Sequence, residues 1–307
     1  MRAGVRARRG FTLVELILAM VLALLVGGLV HRQLLYAQRL ARAQTERMAL
    51  QDNVRAAALV LAGELGGIGY DEITPEASAA LGYPAAVRSD LLAIEPGAVT
   101  YLAGRGGGPL CGITPGSPAE IVAVASSWQS PRAPRATDSL LVFVDNDPAS
   151  ATDDAWIHLG IVSAGAGSCP GGQAGIVLRA VAPAALDPAV LARVGPGSPA
   201  RLAEVMEMRY YRSGGKSWFG MRSVSTGEAI TPVAGPLADS SAGVRGLTLA
   251  YRSAADAPTT DPAAVRAVEI TLVGVTDRPV HGPSLRQTLV DTFGLTTRVA
   301  LRNAPRP

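Results

Sequence analysis

Glu15 is the residue whose type and position most plainly ask for chemistry. From Phe11 to Val30 the chain reads FTLVELILAMVLALLVGGLV, and Glu15 is the sole charged side chain in that run. An ionised side chain inside the apolar layer of a membrane costs roughly 2.5–3.5 kcal/mol on insertion scales, so such a residue has a partner and a task. A plain single-pass anchor fits the length of the run but leaves Glu15 unexplained.

Other reactive or ligand-bearing types are sparse. Cys111 and Cys169 both follow the apolar run. A cysteine pair outside the cytoplasm reads as a disulfide, with two unpaired buried thiols as the alternative. The stretch VDNDPASATDD places Asp145, Asn146, Asp147, Asp153 and Asp154 close together. Asp145, Asp147, Asp153 and Asp154 form a weak Ca²⁺ candidate, but the turn glycine and terminal glutamate of an EF-hand are missing, and a solvated acidic turn is the simpler reading. His31, His158 and His281 are scattered and show no metal-ligand spacing. No nucleophile elbow surrounds a serine, and ADSSAG (238–243) reads as a turn. AGRGGGP (103–109) lacks the Lys-Ser/Thr of a phosphate loop and reads as a loop. Trp156, Tyr210, Tyr211, Trp218 and Phe219 have strand-like spacing, which favours core or cross-strand pairs over a ligand groove. These observations make no case for an enzyme, a cofactor or a metal site.

Charge excludes a further class. Four of the 28 basic side chains (Arg2, Arg6, Arg8 and Arg9) lie in the first ten residues, and the 24 that remain face 25 acidic ones. The basic character thus belongs to a short N-terminal tag, and no nucleic-acid partner is inferred.

The element that positions Glu15 is a helix. Twenty residues from Phe11 to Val30 span about 30 Å, the thickness of a bilayer's hydrocarbon core. Arginines before the run place the N-terminus in the cytoplasm and the bulk of the chain across the membrane. A cleaved Sec or twin-arginine signal would need a small-x-small site after the run, whereas the chain continues as VHRQLLYAQRLARAQ. No proline occurs from His31 to Leu65, and Leu50, Val54, Ala58, Leu61 and Leu65 mark one apolar face. Gly66-Gly67 ends the pattern. The expected helix runs over 11–66, with its first part apolar all round and its second part packed on one side only.

After Tyr70 short alternating runs replace the helical period. Expected strands are 119–125, 139–145, 156–162, 174–181, 203–212, 217–223, 244–252 and 265–275, with a hairpin turn at Gly214-Gly215. The fold class is therefore α+β: a long N-terminal helix packed on an antiparallel β-sheet head at 67–307.

The stretch RRG-FTLVELILAM closely resembles the N-terminal signal of type IV prepilins and pseudopilins, a basic leader ending in glycine followed by Phe-Thr-Leu-Val-Glu-Leu. The resemblance implies a pilin-like fold, a leader at 1–10, cleavage between Gly10 and Phe11 by prepilin peptidase, and N-methylation of Phe11. Glu15 becomes the fifth residue of the mature chain and pairs with the N-terminal amine of a neighbouring subunit. That pairing offsets the cost of both charges in lipid. Neither group is expected to pair well within its own helix, so the demand falls on another chain.

A weaker resemblance covers the end of the chain. The blocks SWFGMRS, VRGLTLAYR, RAVEITLVGVT and TTRVALRN are similar to the C-terminal part (201–303) of PilW-type minor pilins, with pseudopilin J-like proteins as second choice. Together the resemblances imply a minor pilin acting in pilus assembly. Its partners would be other pilin or pseudopilin subunits and the inner-membrane assembly platform. Its location would be the inner membrane, single-pass with a periplasmic head, and then the pilus. A type II secretion pseudopilin is the alternative within this class. An adhesive or ligand-binding module on an uncleaved anchor is the alternative outside it.

Overall fold

The computed structural model describes residues 12–68, 75–81, 90–147, 149–150, 153–183, 186, 188–239, 245–281 and 288–301. The chain forms one long helix followed by an antiparallel sheet head. Helix α1 (Leu13–Gly66) has 54 residues, a length of about 80 Å. Residues 13–42 are exposed at every position. Further along, Val54, Ala57, Ala58, Leu61, Leu65 and Ile68 are buried, at the three- and four-residue spacing of one helix face. At the glycine pair the helix tightens and stops, with Gly67 N donating to Glu64 O at 3.3 Å and Ile68 N to Leu65 O at 3.2 Å.

The remaining elements in chain order begin with α2 (Pro75–Leu81), β1 (Leu91–Glu95), β2 (Ala98–Thr114), β3 (Ala119–Val124), β4 (Ser139–Val144), β5 (Ala155–Ser168) and β6 (Ala174–Val181). They continue with α3 (Pro188–Leu191), β7 (Pro199–Ser213), β8 (Lys216–Ser223), β9 (Thr231–Leu237), β10 (Leu247–Arg252), β11 (Ala267–Val275), β12 (Val280–His281), β13 (Thr288–Leu289) and β14 (Thr292–Ala300). By contacts the chain divides into two units, Met1–Leu50 with Thr276–Asp291, and Gln51–Val275 with Thr292–Pro307. In the first, β12 pairs with β13, and Arg47 Nε meets Asp291 Oδ2 at 2.6 Å.

In the second unit six antiparallel strands close on themselves. The order β2-β3-β6-β5-β4-β7 returns to its start because β7 also pairs with β2. Strands β4, β5 and β6 follow one another as hairpins, while β3 lies beside β6 after a long connection, a Greek-key arrangement. Leu110, Ile121, Leu140, Val142, Ile157, Leu159, Leu178 and Leu202 fill the interior, with Leu81 of α2 and Val190 and Leu191 of α3 packed into the same core. Inward residues alternate with outward ones, as in β3 and β10, because successive side chains of a strand point to opposite faces.

The long strands β2 and β7 belong both to this closed ring and to an open sheet. From β7 the sheet continues through β8, β9, β11 and β10, and β14 lines the other flank of β11. The second half of α1 is tied to that sheet: Tyr101 Oη donates to Glu64 Oε2 at 2.7 Å, and Asn53 Nδ2 donates to Gly235 O at 3.4 Å. Between β7 and β8 the expected two-residue turn is present. Ser213 stands opposite Lys216, and Gly214 (φ 59°) and Gly215 (φ 76°) take the left-handed conformations that such a hairpin requires.

The stretch 103–109, expected as a loop, is instead the middle of β2. Its glycines mark close approach rather than a turn. A Cβ on Gly106 (φ 111°) would stand 1.7 Å from Gln129 O, and one on Gly107 would stand 2.1 Å from Ala200 O. The strand is pressed between β7 and the segment after β3, where no side chain fits. Strands β1, β2, β9, β12, β13 and β14 have no counterpart among the expected runs; in β2 glycine, and in β9 Pro232 and Pro236, obscure the alternation.

Candidate functional site: the helix entrance

Gly10 and Phe11 lie outside the described residues. The first described position, Thr12, caps α1. Its carbonyl accepts from Leu16 N at 3.1 Å, which makes it the residue before the first helical turn. Thr12 and Glu15 then satisfy each other. Glu15 N donates to Thr12 Oγ1 at 3.3 Å, while Thr12 N and Thr12 Oγ1 donate to Glu15 Oε2 at 2.9 and 3.0 Å. This is a capping box, a reciprocal pairing that uses helix-terminal donors otherwise left without partners.

Within its own helix Glu15 thus finds hydrogen-bond donors that carry no charge. Thr12 lies on the same turn and holds one carboxylate oxygen. The other oxygen, Oε1, has no hydrogen-bond partner among the described residues, and the side chain is exposed. The capping box thus fixes the carboxylate at the helix entrance and leaves one oxygen open. An apolar stretch of α1 is long enough by length and composition to cross a membrane, and none of it is buried inside this chain.

The other sequence candidates fall elsewhere. Cys111, on β2, and Cys169, just after β5, are joined by a disulfide with Cα atoms 5.6 Å apart. In the acidic segment between β4 and β5, Asn146 Nδ2 donates to Asp153 Oδ2 at 2.8 Å, and Ala149 N donates to Asp147 Oδ1 at 3.0 Å. The hydrogen bond from Asn146 holds the Asp153 carboxyl below its usual range, whereas burial and the charges of Asp145 and Asp153 push Asp154 up. Among the described residues, no three His, Cys, Asp or Glu side chains gather as a metal site.

His31 is on α1, His158 on β5 and His281 on β12. Most of ADSSAG lies outside the described residues. The aromatics stand as cross-strand neighbours. Phe143 faces Trp156 edge-on with ring centroids 5.4 Å apart, Tyr210 is opposite Phe219, and Tyr211 is opposite Trp218. The Arg201 guanidinium lies 4.4 Å from the Trp156 ring centroid.

One polar constellation of the head had no place among the sequence candidates. Glu204 on β7 accepts from Arg105 Nε on β2 with one oxygen and from Arg132 Nη2 at 2.6 Å with the other, which also accepts from Ser223 Oγ at 3.1 Å. Arg132 grips both oxygens of buried Asp138 at 2.7 Å. Arg105 Nη1 lies 3.7 Å from Glu64 Oε2 at the end of α1. Burial alone would raise the Glu204 carboxyl, but the hydrogen bonds and charges of Arg105 and Arg132 hold it below the usual range. Burial, with the charge of Glu64, pushes the Tyr101 hydroxyl far above its ordinary value, so it remains a donor to Glu64. A signal was present: Leu202, Glu204, Met206 and Met208 share one alternating, inward face of β7.

No curated protein sequence and no solved structure gives a significant match to this chain. Residues 5–30 match the family model described as the prokaryotic N-terminal methylation motif, the type IV prepilin-like signature. The motif implies processing by prepilin peptidase and assembly with other pilins, and it suggests a structural subunit rather than an enzyme. With the long apolar helix that carries the motif, it supports a type IV pilin- or pseudopilin-like protein anchored in a membrane.

Proposed function

We propose that the protein is a PilW-like minor pilin that helps to initiate or assemble a type IV pilus. The observation that carries this reading is the methylation motif at 5–30 running directly into α1, whose residues 13–30 are apolar but for Glu15 and exposed throughout. A helix apolar on every side and uncovered by its own chain is stable in lipid or among other helices of the same kind. In this reading residues 1–10 are a cytoplasmic leader, 11–30 cross the inner membrane, and the head from 67 onward lies in the periplasm. Cleavage between Gly10 and Phe11 creates the amine that is then methylated.

Glu15 acts in assembly through its open Oε1, which accepts a neighbour's N-terminal amine while Oε2 continues to hold Thr12. The assembly platform of the inner membrane and other pilins are the partners. The Cys111–Cys169 link stabilises the head in an oxidising compartment. Mass spectrometry of the mature protein tests the reading. A chain beginning at methylated Phe11 is expected, and a functional protein that retains its leader overturns it.

A further inference from the structure

Between β11 and β14 the chain makes an excursion over residues 276–291 that is tied at its base. Thr276 N donates to Asp291 O at 2.9 Å, and Asp291 N donates to Thr276 Oγ1 at 3.1 Å. This excursion carries the β12–β13 ladder and belongs to the same compact unit as α1 up to Leu50. Asp291 neutralises Arg47 at 2.6 Å, and Ala43, Leu50 and Val280 are buried. Within that unit lies a groove of about 740 Å³, lined by Arg39, Arg42, Ala43, Glu46, Arg278 and Val280 among others.

Charge in the groove is lopsided. Arg39, Arg42 and Arg278 are exposed, and none of them meets a carboxylate among the described residues. In the other unit Arg105, Arg132, Arg222 and Arg298 each have one. Glu46 is the single acidic residue among the described residues of the lining, and Asp277, beside Arg278, is not part of it. Three guanidiniums thus face one carboxylate, and a guanidinium presents paired N–H donors that match the oxygens of a phosphate. The size of the groove falls in the range of small-molecule sites, about 300–1,000 Å³.

Position along α1 indicates where the anion comes from. Arg39 and Arg42 follow Val30 by nine and twelve residues, about 13 and 18 Å along the helix axis. The headgroup layer reaches about 5–8 Å beyond the hydrocarbon edge. Helical side chains lean toward the helix N-terminus, here toward the bilayer, and a long arginine carries its charge that way. Leu34, Leu35, Tyr36 and Leu40 stay exposed in between, a leucine and tyrosine surface suited to the boundary of lipid and water. Arg32, seven positions before Arg39, lies on the same helix face. Arginines are ordinarily concentrated on the cytoplasmic side of a membrane span. Those that follow Val30 call for an anionic partner on the other side.

We infer that the groove holds the phosphate of an anionic phospholipid from the leaflet at the Val30 end, with Arg39, Arg42 and Arg278 as its cationic contacts. The choice of lipid deepens the membrane-anchored reading and rests on it.

The full chain, reconstituted in phosphatidylcholine bilayers, tests the inference. Spin-labelled phosphatidylglycerol or phosphatidylcholine is added in trace amount, and the share of each that the protein immobilises is read from the spectrum. One arginine facing an anionic lipid is worth about fivefold in affinity. Three against one glutamate should therefore favour phosphatidylglycerol by about tenfold or more at about 0.1 M salt, and the preference should shrink near 1 M. Arg278→Gln should lower the preference about fivefold, although this residue is not on the helix that enters the membrane. Arg55→Gln, on an exposed part of α1 outside the groove, should leave it unchanged. If Arg278→Gln lowers the melting temperature, Arg42→Gln takes its place.

Equal immobilisation of the two lipids overturns the inference, as does a preference that survives both Arg278→Gln and Arg42→Gln. Inorganic phosphate that displaces phosphatidylglycerol completely at constant ionic strength shows a site for soluble phosphate and overturns the lipid as its source. A glutamate-rich peptide that binds the chain in pure phosphatidylcholine, with no preference for phosphatidylglycerol, assigns the groove to an acidic polypeptide and overturns the inference as well. Failure of the membrane-anchored reading is separate: the chain would then not float with vesicles of either composition, whereas failure of the groove alone leaves flotation intact.

Discussion

Replacing Glu204 by glutamine removes the carboxylate that Arg105 and Arg132 share, and the consequences can be worked from the contacts. Arg132 keeps both hydrogen bonds to Asp138 at 2.7 Å, so it stays compensated. Arg105 keeps only Glu64, at 3.7 Å, beyond hydrogen-bond reach, and its side chain is 18% exposed. Breaking one side of a buried ion pair costs about 3–5 kcal/mol, because it leaves the other charge uncompensated. The glutamine oxygen can still accept one bond, which places the expected loss near the lower end, about 3 kcal/mol. For a unit of this size that lowers the melting temperature by roughly 6–12 °C.

The loss should also depend on pH. The folded-state pKa of Glu204 is depressed, so its contribution is fully present above the unfolded carboxylate range and disappears as pH falls through the folded value. Thermal melts of both proteins in the same detergent, from about pH 7 down to about pH 3.5, should therefore show a gap that narrows below about pH 4. A fall of less than about 2 °C at neutral pH, or a gap of constant size across the range, refutes the assignment of Glu204 as the centre of the network.

Three further outcomes are expected. Cys111→Ser with Cys169→Ser opens a loop closed across 58 residues, which by chain entropy costs up to about 4 kcal/mol; denaturant unfolding with and without reductant measures it, and equal midpoints contradict the stabilising role. Gly106→Ala forces a Cβ against Gln129 O at positive φ and should cost about 2–4 kcal/mol; a loss below about 1 kcal/mol in the same assay means that β2 has room there. Glu15→Ala should abolish filament incorporation, while Thr12→Val, which removes the cap and spares the carboxylate, should lower it only partly. Normal filament incorporation of Glu15→Ala, followed by immunoblotting of sheared filaments, would falsify the pairing role.

Periodicity made the coarse fold readable. A helical spacing of apolar residues to Leu65 and period-two alternation after it are local properties, and each depends on neighbours only a few positions away. The same holds for the Gly214-Gly215 turn, where the conformation is set by the residues themselves. The capping box was equally local: Thr12 and Glu15, three apart before an apolar run, carry its signature. Glycine in β2 and proline in β9 misled because their usual meaning as turn residues holds only where no second backbone comes close.

By itself the sequence determined the helix entrance. Gly10, Phe11, Thr12, Glu15 and the apolar run are contiguous in the sequence, so their pattern can be read without knowing what folds behind them. Only the tertiary structure decided the rest. β2 and β7 meet although about a hundred positions separate them, as in Ala98 opposite Arg209, and that pairing closes the ring, packs Gly106 and Gly107 against neighbouring backbone, and brings Arg105 to Glu204. Local pattern specifies which face of a strand is apolar, but the choice of neighbour is made by the whole chain.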